Sequence, residues 1–253
     1  MMFKRTVSLC CLRNKILFND SVRYNSNDKI ENWITNKLQP RYEKVKPPYD
    51  HVCQVGDPVL RVDAGPVDPK IIPTVEFKKN VDLLIKTMRR YGAYGLAAPQ
   101  IGLSLQLFAM ETTKAQLDDA VQSKSAGQPM DVVPLKIFIN PKMKILDHTT
   151  TSYPENCASI CGFSAHVPRA KSLEIEALDL DGKLFKWKAE GWPAKIAQHE
   201  MDHLQGKVFT DRMNPQTFSC AIWDVVNTRR GKVQIKFVPD VGTFSEFKKI
   251  FYK

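Results

Sequence analysis

The sequence contains no run of 18 or more apolar residues, and its longest apolar stretches are broken by Lys, Asp or Gln every few positions, which excludes a helical membrane span. It also has no internal repeat and no low-complexity block. Cysteine is sparse and unpatterned. Cys10 and Cys11 lie in the leader, and Cys53, Cys157, Cys161 and Cys220 follow no framework spacing, so a disulfide scaffold is excluded and the thiols read as reduced. Net charge is scarce where a nucleic-acid surface would need it. Of the overall +10, residues 1–24 carry +4 and residues 229–253 carry +5, leaving about +1 for residues 25–228. Specific nucleic-acid recognition by the core is therefore not expected.

What remains is an ordinary globular composition, 43% hydrophobic and 25% charged over 253 residues, which fits one domain with extensions. The opening "MMFKRTVSLCCLRNKILFNDSVRYNS" is rich in Arg, Lys and hydroxyl residues with a single acid, the composition of a mitochondrial transit peptide, and it lacks the apolar core of a secretory signal. On a helical wheel Phe3, Val7, Cys10, Leu17 and Phe18 share a face, while Leu9, Leu12 and Ile16 fall opposite. The expected division is a transit peptide over 1–24, a linker or arm over 25–50, a folded domain over 51–228 and a basic extension over 229–253. The mature protein is expected in the mitochondrial matrix.

Within the domain, "PTVEFKKNVDLLIKTMRRYGAYG" predicts a helix, with a Pro in its first turn, Val75, Val81, Leu84, Ile85 and Met88 at helical spacing, and Gly92 as the stop. The runs "LSLQLFAM", "KIFIN", "SLEIEALDL" and "KLFKWKA" read as strands, the last two joined as a hairpin at Asp181-Gly182. "WPAKIAQHEMDHLQG" predicts a second helix, entered at Pro193 and ended at Gly206. A helix, several antiparallel strands and a second helix make an α+β fold.

On that second helix His199 and His203 are four apart, so both imidazoles project from one face toward a single metal ion, with Glu200 beside them. Two imidazoles do not complete a catalytic site. A zincin supplies its third ligand downstream, but the near carboxylates there, Asp211 and Asp224, stand in no matching arrangement. Upstream, Cys157 lies in a turn region. It is either an inert buried thiol or the thiolate that, with two histidines, leaves one tetrahedral position open for water.

Three ordered segments decide between those readings: "AYGLAAPQIG" (93–102), "ENCAS" (155–159) and "QHEMDHLQG" (198–206). Through them residues 51–218 closely resemble the peptide deformylases, and the leader together with "GWPAKIAQHE" resembles the organellar type of eukaryotes. The resemblance implies a strand-wrapped central HExxH helix and the removal of formyl groups from N-formylmethionyl nascent peptides. It implies that Cys157, His199 and His203 hold one divalent ion, Fe(II) in the cell, with Zn(II) suited to the same ligands. Glu200 is then the proton shuttle, and the Gln100 amide and the Ala158 backbone N–H face the oxyanion. By the same resemblance Glu155 pairs with Arg169 behind the Cys157 loop. Tyr94, Gly95 and Asn156 are expected along the substrate, and Tyr153, Trp192 and Ile196 around the methionine side chain.

Three positions depart from the bacterial pattern: Ala93 and Asn156 stand for Gly, and Ala158 stands for Leu. None is a ligand or the shuttle, although a degenerate, ribosome-associated binding protein would be the outcome if these changes disabled catalysis. At the chain's end Phe244, Phe247, Ile250 and Phe251 form one helical stripe, with Lys248, Lys249 and Lys253 outside it. The basic extension is a candidate contact to the mitochondrial ribosome.

Overall fold

A computed structural model describes residues 45–122 and 129–239. The transit-like leader, most of the 25–50 arm and the aromatic stripe after residue 243 lie outside the described residues.

Helix α1 (Val75–Arg90) starts where Thr74 Oγ1 accepts the Phe77 N–H at 3.2 Å, a hydroxyl N-cap. It buries Phe77, Val81, Leu84 and Met88, a stripe at spacings of four, three and four. Val75, expected on that stripe, is instead exposed, because it occupies the first turn and points away from the sheet. Gly92 ends the helix at φ +60°, as its sequence position suggested.

Strand β1 (Gly95–Ala97) then runs into a single 3-10 turn, Ala98–Ile101, closed by Gly102 at φ +85°. A side chain at Gly102 would lie 2.7–2.8 Å from Tyr49 and Pro47, so the chain ahead of residue 51 already packs here. Tyr49 N–H also donates to the Ile101 carbonyl at 2.9 Å. The expected domain start at residue 51 is thus a few residues late.

Strand β2 (Leu107–Thr112), helix α2 (Lys114–Gln122), strands β3 (Val133–Cys157), β4 (Ile160–Leu178) and β5 (Leu184–Glu190), helix α3 (Trp192–Leu204), strand β6 (Ser219–Cys220) and helix α4 (Trp223–Thr228) complete the order. The strands form one antiparallel sheet, β1-β2-β3-β4-β5, with β6 on β4. The β4–β5 hairpin turns over Asp179–Gly182 with Gly182 at φ +74°, as expected for the Asp-Gly pair. β3 and β4 are far longer than the short strands read from sequence. Cys157, expected in a turn region, is the last residue of β3, at a tight turn through Ala158 and Ser159.

Helix α3 is central. Ten of its 13 residues are buried, including Gln198, Glu200, Asp202 and His203. Such a helix needs partners for its polar groups, and Gln198 shows how they are met. Its amide accepts from Ala170 N and donates to Ala170 O, both at 2.9 Å, which docks the helix on β4. The apolar remainder packs into a cluster with Phe108, Phe138, Leu173 and Ile175. Among the described residues no helix is long and apolar enough to cross a membrane.

After α4 the chain does not leave the domain. Phe237 O accepts from Tyr91 Oη at 2.7 Å, Ile235 Cδ1 approaches Gly162, and Pro239 is buried. Helix α4 ends at Thr228, and residues 229–239 dock on the domain rather than forming a separate tail.

Candidate metal centre

Alternation along β3 puts Tyr153, Glu155 and Cys157 on one face, and the i, i+4, i+8 spacing along α3 presents Lys195, His199 and His203 toward it. The two rows meet rung by rung. Lys195 Nζ stands 5.7 Å from the Tyr153 ring, His199 Nδ1 lies 2.9 Å from Glu155 Oε2, and Cys157 Sγ lies 3.3 Å from His203 Nε2. Cys157, His199 and His203 each offer one ligand atom, and these atoms lie within 4.8 Å of one another. Burial opposes ionisation of the Cys157 thiol, but the charges and hydrogen bonds of His203 and His199 outweigh it and hold the thiol well below its usual range. A thiolate and two imidazoles so disposed fit a tetrahedral divalent ion with one position left for a reactant.

Behind the ligands runs a buried charge chain. Arg169 grips both Glu155 oxygens at 2.9 Å and reaches Asp202 Oδ2 at 2.6 Å, and Arg212 Nε meets Asp202 Oδ1 at 2.8 Å. Burial alone would raise the Glu155 carboxyl, but hydrogen bonds from Arg169 and His199 bring it down to about 2, so it stays anionic. An anionic Glu155 at His199 Nδ1 favours the tautomer that would turn a free Nε2 toward an ion bound there. Asp202 and Arg212 escaped the sequence reading, although Asp202 stands inside "HEMDH".

Glu200 is buried, and its Oε2 has no hydrogen-bond partner among the described residues. Burial pushes its carboxyl up to about 7, with the two histidines opposing and Cys157 and Glu155 adding. An unmet, near-neutral carboxyl beside the ligands is suited to exchanging a proton with a reactant. Gly95 has a different reason for being glycine than the one read from sequence. A Cβ there would lie 2.5 Å from Glu200 Oε1 and 2.8 Å from its Cδ and Cγ, so the missing side chain makes room for Glu200 rather than only for substrate. Gly95→Ala should therefore displace the carboxyl while leaving the ligands intact, lowering kcat/KM by roughly a hundredfold at unchanged metal content. Steady-state kinetics with metal analysis check this, and a Gly95→Ala enzyme of normal rate would contradict the crowding.

Gln100 is turned by its own turn. Its Oε1 accepts from Ala97 N at 2.9 Å, leaving Nε2 to donate to Ser159 Oγ at 3.2 Å and toward Cys157 Sγ at 3.6 Å. Its donors thus face the centre. Ser159, fully buried and donating its own N–H toward Sγ at 3.4 Å, was not singled out from sequence, though it closes the "ENCAS" segment. Ala158 occupies the turn between them, and its carbonyl accepts from Gln54 Nε2 at 2.9 Å.

The remaining expected residues divide. Trp192 and Ile196 are buried in the main apolar cluster, with Trp192 Nε1 donating to Thr112 Oγ1 at 3.1 Å and Tyr94 edge-on to its ring at 4.9 Å. Tyr153 is half-buried beside them. Asn156 is exposed between buried Glu155 and Cys157, so its side chain faces away from the ligands and only its backbone borders the centre. Lys195 went unremarked in the sequence. Its Nζ donates to Pro154 O at 2.9 Å, and burial lowers its pKa to about 8, with Glu155 opposing and Arg169 adding.

Comparison with known proteins gives one consistent result. Residues 49–219 match the family described as polypeptide deformylase. The chain is 42% identical over 182 residues to the mitochondrial peptide deformylase of Homo sapiens, covering 72% of this chain and 75% of that one. It is 36% identical over 176 residues to a chloroplastic peptide deformylase of Solanum lycopersicum, covering 70% of this chain and 64% of that one. Among solved structures, the peptide deformylase of Thermotoga maritima superposes with a TM-score of 0.54 at 30% identity, over 67% of this chain and all of that one.

Proposed function

The chain belongs to the polypeptide deformylase family, in its eukaryotic organellar branch, and from that premise we propose how its own residues perform the reaction. It is a metal-dependent hydrolase that removes the formyl group from the N-terminal methionine of newly made polypeptides. The observation that carries the residue assignment is the clustering of Cys157, His199 and His203 beside the unpartnered Glu200 carboxyl.

Cys157, His199 and His203 would hold a divalent ion, which when bound would supply the Lewis acidity that brings the ionisation of water toward neutrality. Glu200 takes the proton from the attacking water and delivers it to the leaving amine nitrogen, so the formyl C–N bond breaks, yielding formate and a free α-amine. The Gln100 amide and the Ala158 N–H donate to the formyl oxygen as it gains charge, each such donor contributing about 2.7–4 kcal/mol in comparable sites. Ser159 Oγ, now on Gln100 Nε2, fixes which way that amide points. Fe(II) is the ion we assign in the cell, with Zn(II) accepted by the same ligands.

An assay of a formyl-Met peptide against an internal peptide bond tests the reading. Cleavage of the internal bond would favour an endopeptidase, yet Asp211, a carboxylate such an enzyme could recruit, is bound to Arg61 and to Val208 N–H. Turnover of neither would leave a degenerate binding protein, which must explain a complete reactive set.

We place the enzyme in the mitochondrial matrix after loss of residues 1–24, and propose that its basic C-terminal part attracts it to the mitochondrial ribosome. Four basic residues, Arg229, Arg230, Lys232 and Lys236, lie in the docked 229–239 segment, whereas residues 240–253 carry a net charge of only +1. The attraction therefore belongs to the docked segment. Arg230→Glu with Lys232→Glu should weaken low-salt cosedimentation with mitochondrial ribosomes and leave short-peptide turnover intact, while removal of 240–253 should do little. Unchanged cosedimentation in the double variant would end the proposal.

A further inference from the structure

In the buried charge chain behind the ligands, one guanidinium serves two carboxylates. Arg169 gives Nε and Nη2 to Glu155 and Nη1 to Asp202, and none of the three side chains is more than 6% exposed. Glu155 and Asp202 therefore compete for one cation where water cannot make good a loss. The outcome reaches the metal centre, because Glu155 Oε2 also lies 2.9 Å from His199 Nδ1, and a Glu155 drawn off line would free that ring to turn. Asp202 has a second cation on its other oxygen: Arg212 Nε donates to Oδ1 at 2.8 Å.

The turn that carries Arg212 is itself tied to the centre. Arg212 follows the single 3-10 turn Phe209–Asp211, its backbone N–H donating to Phe209 O at 3.1 Å. The Asp211 carboxylate accepts the Val208 N–H at 2.8 Å, and Val208 and Phe209 are buried in the small apolar cluster that contains Cys157. One turn thus packs against the first ligand and reaches the second through Asp202, Arg169 and Glu155.

We propose that Arg212 is a positioning residue of the metal centre: by occupying Asp202 it leaves Arg169 bidentate on Glu155, so that His199 stays aimed at the ion and the ion is released slowly. The inference rests on the metal centre of the deformylase reading. Arg212 acts on His199 only through the three groups between them, and its side chain is 42% exposed, so water replaces part of what its loss removes. Its effect is accordingly smaller than the roughly 10–100-fold typical of a group bonded directly to a metal ligand.

The test measures release of Zn(II) from the loaded enzyme to an excess of a chromogenic chelator, with the melting temperature of each metal-free variant recorded to show that it is folded. Arg212→Met should release Zn(II) about five- to tenfold faster than wild type, and Arg212→Lys, which keeps a cation on Asp202, within about twofold of it. The deciding arm combines Arg212→Met with Asp202→Asn. The amide oxygen still accepts from Arg169 but no longer draws it from Glu155 with a full charge, so release should return to within about threefold of wild type. Arg61→Met is the control: Arg61 is 43% exposed and pairs with Asp211, one residue before Arg212 but outside the charge chain, and its loss should leave the release rate unchanged. Wild-type release from Arg212→Met overturns the proposal. So does fast release that persists in the double variant or is matched by Arg61→Met, since either places the effect in the packing of the turn rather than in the competition for Arg169. Wild-type protein that takes up no Zn(II) would instead bring down the metal centre itself, and the inference with it.

Discussion

Glu200→Gln is expected to retain one ion per chain and to lose deformylation by roughly a hundred- to ten-thousand-fold, the range for removing a positioned proton-transfer group. The two halves of that result separate the shuttle from the ligands. Glu200 Oε2 makes no hydrogen bond among the described residues, and the candidate metal-ligand cluster does not include Glu200, so an amide of the same shape should leave the ligand set standing. The amide cannot accept a proton from water, so the reaction stalls at its first step. A pH profile adds an independent check. The carboxylate is the working form, so kcat/KM should fall as pH drops through its pKa. Burial raises that value from 4.5 to about 7, and a cation at the neighbouring ligands pulls it back, which places the acid limb between those limits. Retained turnover in Glu200→Gln, or a metal content that falls with the rate, would refute the assignment.

The proposed ligands and shuttle were legible as candidates because each carries its chemistry in its residue type and spacing. His199, Glu200 and His203 sit on a helix whose ends are written by Pro193 and Gly206, and the structure places those ends within two residues of expectation. The long β3–β4 hairpin was not legible. Residues 141–156 of β3 are mostly exposed and carry no sustained apolar alternation, since over this stretch the strand pairs on one side only and has little core to face. The consequence reaches the site, because Cys157 was read as part of a turn when it is the end of a strand, and the strand's alternation is what aligns Glu155 and Tyr153 with it. Asp202 and Arg212 were missed for another reason. A carboxylate inside a helix reads as surface until the tertiary structure brings two arginines to it, and no local pattern announces that.

Two buried cysteines in one domain show how environment rather than residue type makes one of them the candidate ligand. Cys53 faces the Asp57 carboxylate. Burial and then Asp57 push its thiol up to about 12, so it stays protonated and is a poor donor to a metal. Cys157, equally buried, faces two imidazoles and packs at the edge of a small cluster with Ile160, Val167 and Phe209. Cys157→Ala should therefore purify, under anaerobic conditions, with less than about a tenth of the wild-type ion, because two imidazoles alone make an incomplete site for a catalytic ion. Deformylation should vanish with it. The apolar cluster loses only a sulfur atom, so the fold should persist, but the stabilisation that the ion adds to the native state should be lost, and the melting temperature should no longer rise when Zn(II) or Fe(II) is added. Cys53→Ala is the matched control, expected to keep both the ion and its effect on melting. If Cys157→Ala retained a full complement of metal, or if wild-type protein purified anaerobically held none, the three-ligand centre would have to be abandoned.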